Sequence, residues 1–210
     1  MAPPAAPAFD RDLADLPPAL RWREWMARIE AVIFAAAQPV PRAVLATVIG
    51  DEANLDLLIA DIRRELAPRP YELVSVAGGY QLRTHRSYAT AVRASGVLGP
   101  APAWSKTEML TLAAIAYFQP LTRAELTRIL GREISRDVIA RLRRLGMIDA
   151  GPRSPQPGAP YTYITTAQFL ATWGYQSLHD LPDMEKLEDA GLLSKERIAD
   201  IPLLLPDDEG

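Results

Sequence analysis

Between residues 22 and 36 the apolar positions fall at Trp22, Trp25, Met26, Ile29, Val32, Ile33 and Ala36. That spacing of three and four places them on one face of an amphipathic helix. Gln38-Pro39 ends the pattern, because proline lacks a backbone donor and restricts the residue before it. A second helix is predicted from about Pro41, a residue suited to a helix start, to Gly50. A third runs from about Asn54 to Pro68, with Leu57, Leu58, Ile62 and Leu66 on one side. The period then shortens. Residues 71–76 and 80–84 are β-prone runs joined by Gly78-Gly79, which can adopt the positive φ angles of a tight hairpin.

The same succession returns further along. Residues 107–118 are apolar nearly all round and predict a helix central to its core. A second helix is predicted over 123–130, closed by Gly131, and a third from about Ser135 to Gly146 with Val138, Leu142 and Leu145 facing inward. Ser105–Glu108 and Thr122–Glu125 each carry the Ser/Thr-x-x-Glu spacing of a capping box, in which the hydroxyl and the carboxylate satisfy two orphan amides reciprocally. Residues 147–150 and 161–164 read as strands around a Pro- and Gly-rich loop, GPRSPQPGAP, and 166–173 as a last short helix.

The recurrence is literal over one phrase. Residues 38–50 read QPVPRAVLATVIG and residues 119–131 read QPLTRAELTRILG, aligned without a gap at an offset of 81 residues. Solenoid repeats run to roughly 20–50 residues, so a period this long marks a duplicated domain. Three helices followed by a hairpin is the order of a winged helix, whose second and third helices form a helix-turn-helix and whose hairpin is the wing. The expected fold class is therefore mainly α with small β-hairpins (α+β), as two tandem winged-helix domains. The expected boundaries are a disordered leader over 1–21, a first domain over 22–98, a linker over 99–104, a second domain over 105–182 and an acidic tail over 183–210. Within the tail a weak helix is expected around 184–190. The apolar run 201–205 reads either as a docking peptide or as a frayed end.

Composition narrows the functions. The 210 residues include no Cys and two His, which leaves no disulfide, thiolate metal site or Cys nucleophile. No phosphate-binding loop, nucleophile elbow or zinc-protease motif is present, so neither catalysis nor a cofactor is expected. The longest apolar stretch, around 109–118, is far short of the roughly 20 residues that cross a bilayer. Charge is uneven. Residues 105–174 carry nine Lys and Arg against five Asp and Glu, a balance of +4, whereas residues 175–210 carry three against ten, a balance of −7.

Two uses of a winged helix follow. In DNA binding the third helix enters the major groove and Arg side chains read bases or hold phosphates. Arg136, Arg141, Arg143 and Arg144 on the third helix of the second domain, with Arg153 on its wing, are the candidates. The competing reading is a solvated basic face. The third helix of the first domain mixes Asp56, Asp61 and Glu65 with Arg63 and Arg64, which does not suit phosphates. The second use is protein docking, to which the acidic pI of about 5.5 leans.

Three segments resemble one family. VAGGYQLRT at 76–84 followed by Tyr88, AAIAYFQPLTRAELTRILG at 113–131, and YITTAQFLATWGYQSLHDLP at 163–182 resemble, in order, the first wing, the second-domain signature and the close of the segregation and condensation protein B family. The chain differs where the family usually has G-R-P in the second wing and this chain has Gly158-Ala159-Pro160. The resemblance implies a non-catalytic subunit of a bacterial condensin-like complex, cytoplasmic and associated with the nucleoid, acting in chromosome condensation and segregation. It implies a homodimer made chiefly by the first winged helix. It implies kleisin binding chiefly by the second, with the structural-maintenance-of-chromosomes (SMC) ATPase reached indirectly through the kleisin. On that implication Tyr117, Gln119, Pro120, Thr122, Arg123 and Glu125 are the partner-binding candidates. Thr122 and Glu125 also have the cap to explain them, and Pro120 a turn. DNA contact is expected to be indirect; the alternative is a winged-helix transcription regulator.

Overall fold

The computed structural model describes residues 9–99, 102–155 and 158–182. The chain divides into two compact units, Met1–Ala101 and Pro102–Gly210.

The first unit opens with α1 (Pro18–Ala35), then β1 (Val40–Pro41), α2 (Arg42–Ala46), α3 (Leu55–Leu66), β2 (Tyr71–Val76) and β3 (Gly79–Thr84). A 3-10 turn (Arg86–Tyr88) and α4 (Ala89–Ala94) follow. Asn54 caps α3 by accepting the amides of Asp56 and Leu57 at 3.0 and 3.2 Å. Trp25, Met26, Ile29 and Ile33 of α1 meet Leu55, Leu58, Ile59, Ile62 and Leu66 of α3 in one core. Ile29, Leu45, Leu58 and Ile62 are wholly enclosed, each contributing about 1.5–3 kcal/mol by burial. Leu57, expected on this inner face, is 56% exposed. The register that seats Leu55, Leu58, Ile59 and Ile62 turns Leu57 to the opposite side.

The second unit repeats the order: α5 (Lys106–Phe118), β4 (Leu121–Thr122), α6 (Arg123–Leu130), α7 (Arg136–Arg144), β5 (Ile148–Arg153), β6 (Tyr161–Thr165) and α8 (Ala167–Trp173). A 3-10 turn (Leu178–Asp180) closes it. Ile139 and Leu142 carry the inner face of α7, with Val138 and Leu145 half-buried beside them. After α7 the amides of Gly146 and Met147 return to the carbonyls of Arg143 and Leu142, both at 2.9 Å, a Schellman closure with Gly146 at φ 69°.

Each sheet has three strands, ordered β1-β3-β2 and β4-β6-β5. The short first strands lie inside the repeated phrase, and two residues give too little alternation to betray a strand. Val40 and Pro41 pair with Tyr80 and Gly79, as Leu121 and Thr122 pair with Tyr163 and Thr162. This pairing corrects the hairpin turn. The residues at positive φ are Ala77 (51°) and Gly78 (71°), not Gly78 and Gly79. Gly79 belongs to β3, and a Cβ there would come within 2.8 Å of the Val40 carbonyl oxygen.

The duplicated phrase is used differently in its two copies. Gly131 closes α6 in the left-handed region at φ 63°. Gly50 has no such angle; a Cβ there would lie 2.7 Å from the Trp25 ring and 2.9 Å from Asp12 Oδ1.

That contact corrects the expected leader. Residues 9–17 are laid against the first unit and α1 begins at Pro18. Arg11 binds the Ile49 carbonyl and Asp51, and its own carbonyl accepts from Trp25 Nε1 at 2.8 Å. The expected linker ends early too, since Trp104 packs on the second core. The expected helix around 184–190, the run 201–205 and the acidic tail lie outside the described residues.

Candidate functional site

The two capping boxes predicted at the starts of α5 and α6 are both formed. Glu108 accepts the Ser105 amide at 2.8 Å while Ser105 Oγ accepts the Glu108 amide at 3.2 Å. Thr122 and Glu125 do the same at 2.7 and 3.2 Å, with the Thr122 hydroxyl also donating to Glu125 at 2.8 Å. The Ser105 amide, more than any other group, lowers the Glu108 carboxyl below its ordinary range against the opposing effect of burial; the Ser105 hydroxyl and Arg141 add to it.

Gln119 forms a second lock. Its carbonyl oxygen accepts from the Thr165 amide at 2.7 Å, and its amide group donates to the Thr165 hydroxyl at 3.0 Å. The end of β6 is thus held to the end of α5. Of the six partner-binding candidates, Thr122 is buried, Pro120 is exposed, and Tyr117, Gln119, Arg123 and Glu125 lie between. Among the bonds described, Thr122, Glu125 and Gln119 spend their polar groups inside the unit.

Tyr117 stands elsewhere, on an apolar groove. Met109, Ala113, Ala116 and Tyr117 recur along one face of α5, and Phe169 and Trp173, four residues apart on α8, form the facing wall. Tyr175, Leu181 and Pro182 complete it. The Tyr117 hydroxyl donates to the Pro182 carbonyl. Ring centroids of Phe169 lie 6.5 Å from those of both Trp173 and Tyr175, and Trp104 lies 6.4 Å from Trp173. Phe169, Trp173, Tyr175, Leu181 and Pro182 all belong to the closing motif at 163–182, and the four-residue Phe169/Trp173 spacing is the signal of the groove in the sequence.

The arginines put forward for DNA contact do not act as one surface. Arg141 Nε lies 2.7 Å from Glu108 Oε1, and its Nη2 donates to the Ala103 carbonyl at 2.7 Å. Arg143 is 3.5 Å from Asp149. Arg153 lies over the Tyr161 ring, 3.4 Å from its centroid, and donates to the Ala159 carbonyl. Arg136 and Arg144 are exposed.

The first unit has a wider groove, of about 620 Å³, between the end of α1 and residues 81–84 of β3, with Tyr71 of β2 beside them. Phe34, 83% exposed, and Tyr71, 39% exposed, border it. Phe34 lies off the buried stripe of α1, so helical spacing gave no reason to single it out. Glu30 and Arg83 line the same groove. Burial raises the Glu30 carboxyl, with Glu65 adding to it, and burial lowers Arg83, so each charged form is disfavoured where it stands. Among the described residues no group of three or more His, Cys, Asp or Glu is placed to hold a metal, and no helix is long and apolar enough to cross a membrane.

Two winged-helix units, each with an apolar groove, define a tandem winged-helix protein of mainly helical α+β class. The family described as "Segregation and condensation complex subunit ScpB" matches residues 27–184, and the chain belongs to that family. It is 36% identical over 168 residues to the segregation and condensation protein B of Symbiobacterium thermophilum, covering 78% of this chain and 75% of that protein. The protein of the same name from Moorella thermoacetica is 36% identical over 163 residues, covering 76% of this chain and 82% of that protein. The crystal structure of ScpB from Mycobacterium tuberculosis is 24% identical, covers 73% of this chain and 96% of its own length, and superposes with a TM-score of 0.34. Segregation and condensation are thus the functions for which its relatives are named.

Proposed function

We propose that the protein is a non-catalytic adaptor of a bacterial condensin-like SMC–kleisin complex, which dimerises through its first unit and binds the kleisin subunit through its second. It acts in chromosome condensation and segregation, in the cytoplasm at the nucleoid, and reaches the SMC ATPase through the kleisin. Membership of the family across residues 27–184 carries the proposal.

The two grooves support the division of labour. On the first unit, Phe34 and Tyr71 offer apolar surface beside Glu30 and Arg83. A twofold pairing brings each patch against its own copy, so Glu30 of one protomer can meet Arg83 of the other. On the second unit the aromatic groove that includes Tyr117 suits a peptide segment of a partner. DNA contact is indirect in this reading, because Arg141, Arg143 and Arg153 are engaged within the unit.

Co-expression with the kleisin of the same cell tests the partner. Joint purification through size exclusion is expected; a folded protein that ignores the kleisin at micromolar concentration overturns the proposal. Light scattering tests the dimer. Wild type is expected as a dimer and Phe34→Asp as a monomer, and a wild type that is monomeric across concentrations contradicts the assignment.

A further inference from the structure

The groove between α5 and α8 has two walls rooted in the core and a third hung from one side chain. Buried Leu112, Ala116 and Phe169 root the α5 and α8 walls. The Gln119–Thr165 bonds and the Thr166 hydroxyl, which accepts the Phe169 amide at 3.2 Å, hold the start of α8 beside the end of α5. The third wall is a strap, residues 175–182, which leaves α8 at Gly174 (φ 80°) and returns to α5. We propose that the Tyr117 hydroxyl is the latch of this strap. It is a positioning group: it sets Leu181 and Pro182 as a wall of the groove, and it acts on a bound partner through them rather than by contact.

Two observations carry the inference. The first is where the strap is fastened. At its start the Tyr175 amide donates to the Leu170 carbonyl at 2.9 Å, and the Tyr175 ring lies 6.5 Å from that of Phe169. The hydrogen bonds described for 176–181 lie within the strap. The Asp180 carboxylate accepts the amides of Gln176 and Ser177, both at 2.8 Å, and the Leu181 amide returns to the Leu178 carbonyl at 3.2 Å. Pro182 disfavours helix at the residue before it, and Leu181 is extended at φ −61°, ψ 140°. The far end then meets α5, where the Tyr117 hydroxyl donates to the Pro182 carbonyl across 65 residues of sequence. Leu181, half-buried on the second core, adds apolar contact.

The second is what the strap end separates. The groove holds about 110 Å³. Ala116, Tyr117, Leu181 and Pro182 also border a wider cavity of about 410 Å³, lined besides by Gln119, Leu178 and His179. Leu181 and Pro182 therefore stand between a small apolar space and a larger, more polar one. When the strap end swings away the two run together, and an apolar side chain seated in the groove loses one wall. The latch itself stands on the strap alone; its effect on a partner rests on the kleisin reading.

Tyr117→Phe removes the hydroxyl and keeps the ring, so a changed ring-current shift at Leu181 reports movement of the strap. Loss of one neutral hydrogen bond moves the latched-to-open equilibrium about fivefold. In the full-length protein the Leu181 methyl signals are expected to move toward their unstructured positions, with the Leu112 methyls and the Trp22 and Trp25 indoles unmoved. Kleisin affinity is expected to fall about two- to fivefold, the ceiling being the whole loss of latched molecules. Leu181→Ala removes the wall directly, so Tyr117→Phe is expected to add no further loss in that background. Unmoved Leu181 signals in Tyr117→Phe overturn the latch. A displaced strap with unchanged kleisin affinity overturns its role as a wall for the partner. A loss that persists in the Leu181→Ala background makes the hydroxyl a direct contact and overturns action through the strap. The Leu181 signals are read without the kleisin, so a wild-type chain that binds none refutes the kleisin assignment and leaves the latch to be judged on those signals.

Discussion

Replacing Thr122 by Ala tests whether the most recognisable stretch of the chain is a cap or a contact. Thr122 Oγ1 accepts the Glu125 amide and donates to the Glu125 carboxylate, at 3.2 and 2.8 Å. Loss of the hydroxyl removes that donor from the Glu125 carboxylate, while the Thr122 amide still donates to it at 2.7 Å. Loss of an N-cap costs about 1 kcal/mol and up to about 2. Thr122 is only 2% exposed, so water does not easily replace the lost acceptor and the upper figure, about 2 kcal/mol, applies. That is a factor of about 30 in an opening equilibrium. Amide hydrogen exchange resolved by mass spectrometry, which localises the effect to α6, should show about that acceleration over residues 123–130. Thr122→Ser keeps the hydroxyl and loses one methyl, about 0.8 kcal/mol, or roughly fourfold. Kleisin affinity per folded molecule should be unchanged in both. Equal acceleration in the Ala and Ser variants, or none in Ala, would refute the cap as the source of α6 stability. The first unit is a natural comparison: Pro41 and Val44 stand at the equivalent positions, no side chain caps α2, and α2 has five residues where α6 has eight.

Gly79→Ala should destabilise the first unit by about 1–3 kcal/mol, because the methyl meets the Val40 backbone, which cannot step aside as a flexible side chain would; Gly78→Asn, in open space at φ 71°, should be tolerated in the same urea titration. Because the folded Glu108 carboxyl lies below its ordinary range, the unfolded chain binds more protons there. Its stabilising effect is therefore complete above the unfolded carboxyl's pKa and lost as pH falls through the folded one; denaturation below about pH 5 should show a shallower acid slope for Glu108→Gln. Arg141→Ala should raise the Glu108 carboxyl yet leave it below the ordinary range in a carbon-13 titration, since the Ser105 amide is the larger cause.

The helices, wings and both caps were legible because each rests on local rules: a 3.6-residue period, a hydroxyl three residues before a carboxylate, a positive-φ glycine. What escaped depends on partners distant in sequence. Val40–Pro41 becomes a strand only because β3 lies beside it, and that pairing moves the hairpin turn back by one residue to Ala77-Gly78. The residues before α1 read as a disordered leader until Arg11 finds the Ile49 carbonyl and Asp51. Arg141 reads as a DNA contact from its neighbours on α7, while Glu108, 33 residues earlier, takes hold of it. The family signature is similarly divided. Much of its conspicuous chemistry, at Gln119, Thr122 and Glu125, joins one element to the next, and an aromatic groove lies beside it.

The central claim, that this chain is the kleisin-binding adaptor of an SMC complex, is tested most directly by calorimetric titration of the purified kleisin into the full-length protein. Saturable binding at micromolar affinity or tighter is expected, retained in Thr122→Ser and weakened by a charge placed in the second-unit groove at Ala113→Glu, with the variant's fold verified by its Trp indole spectrum. Absence of heat and of complex at these concentrations, with both proteins folded, would contradict it.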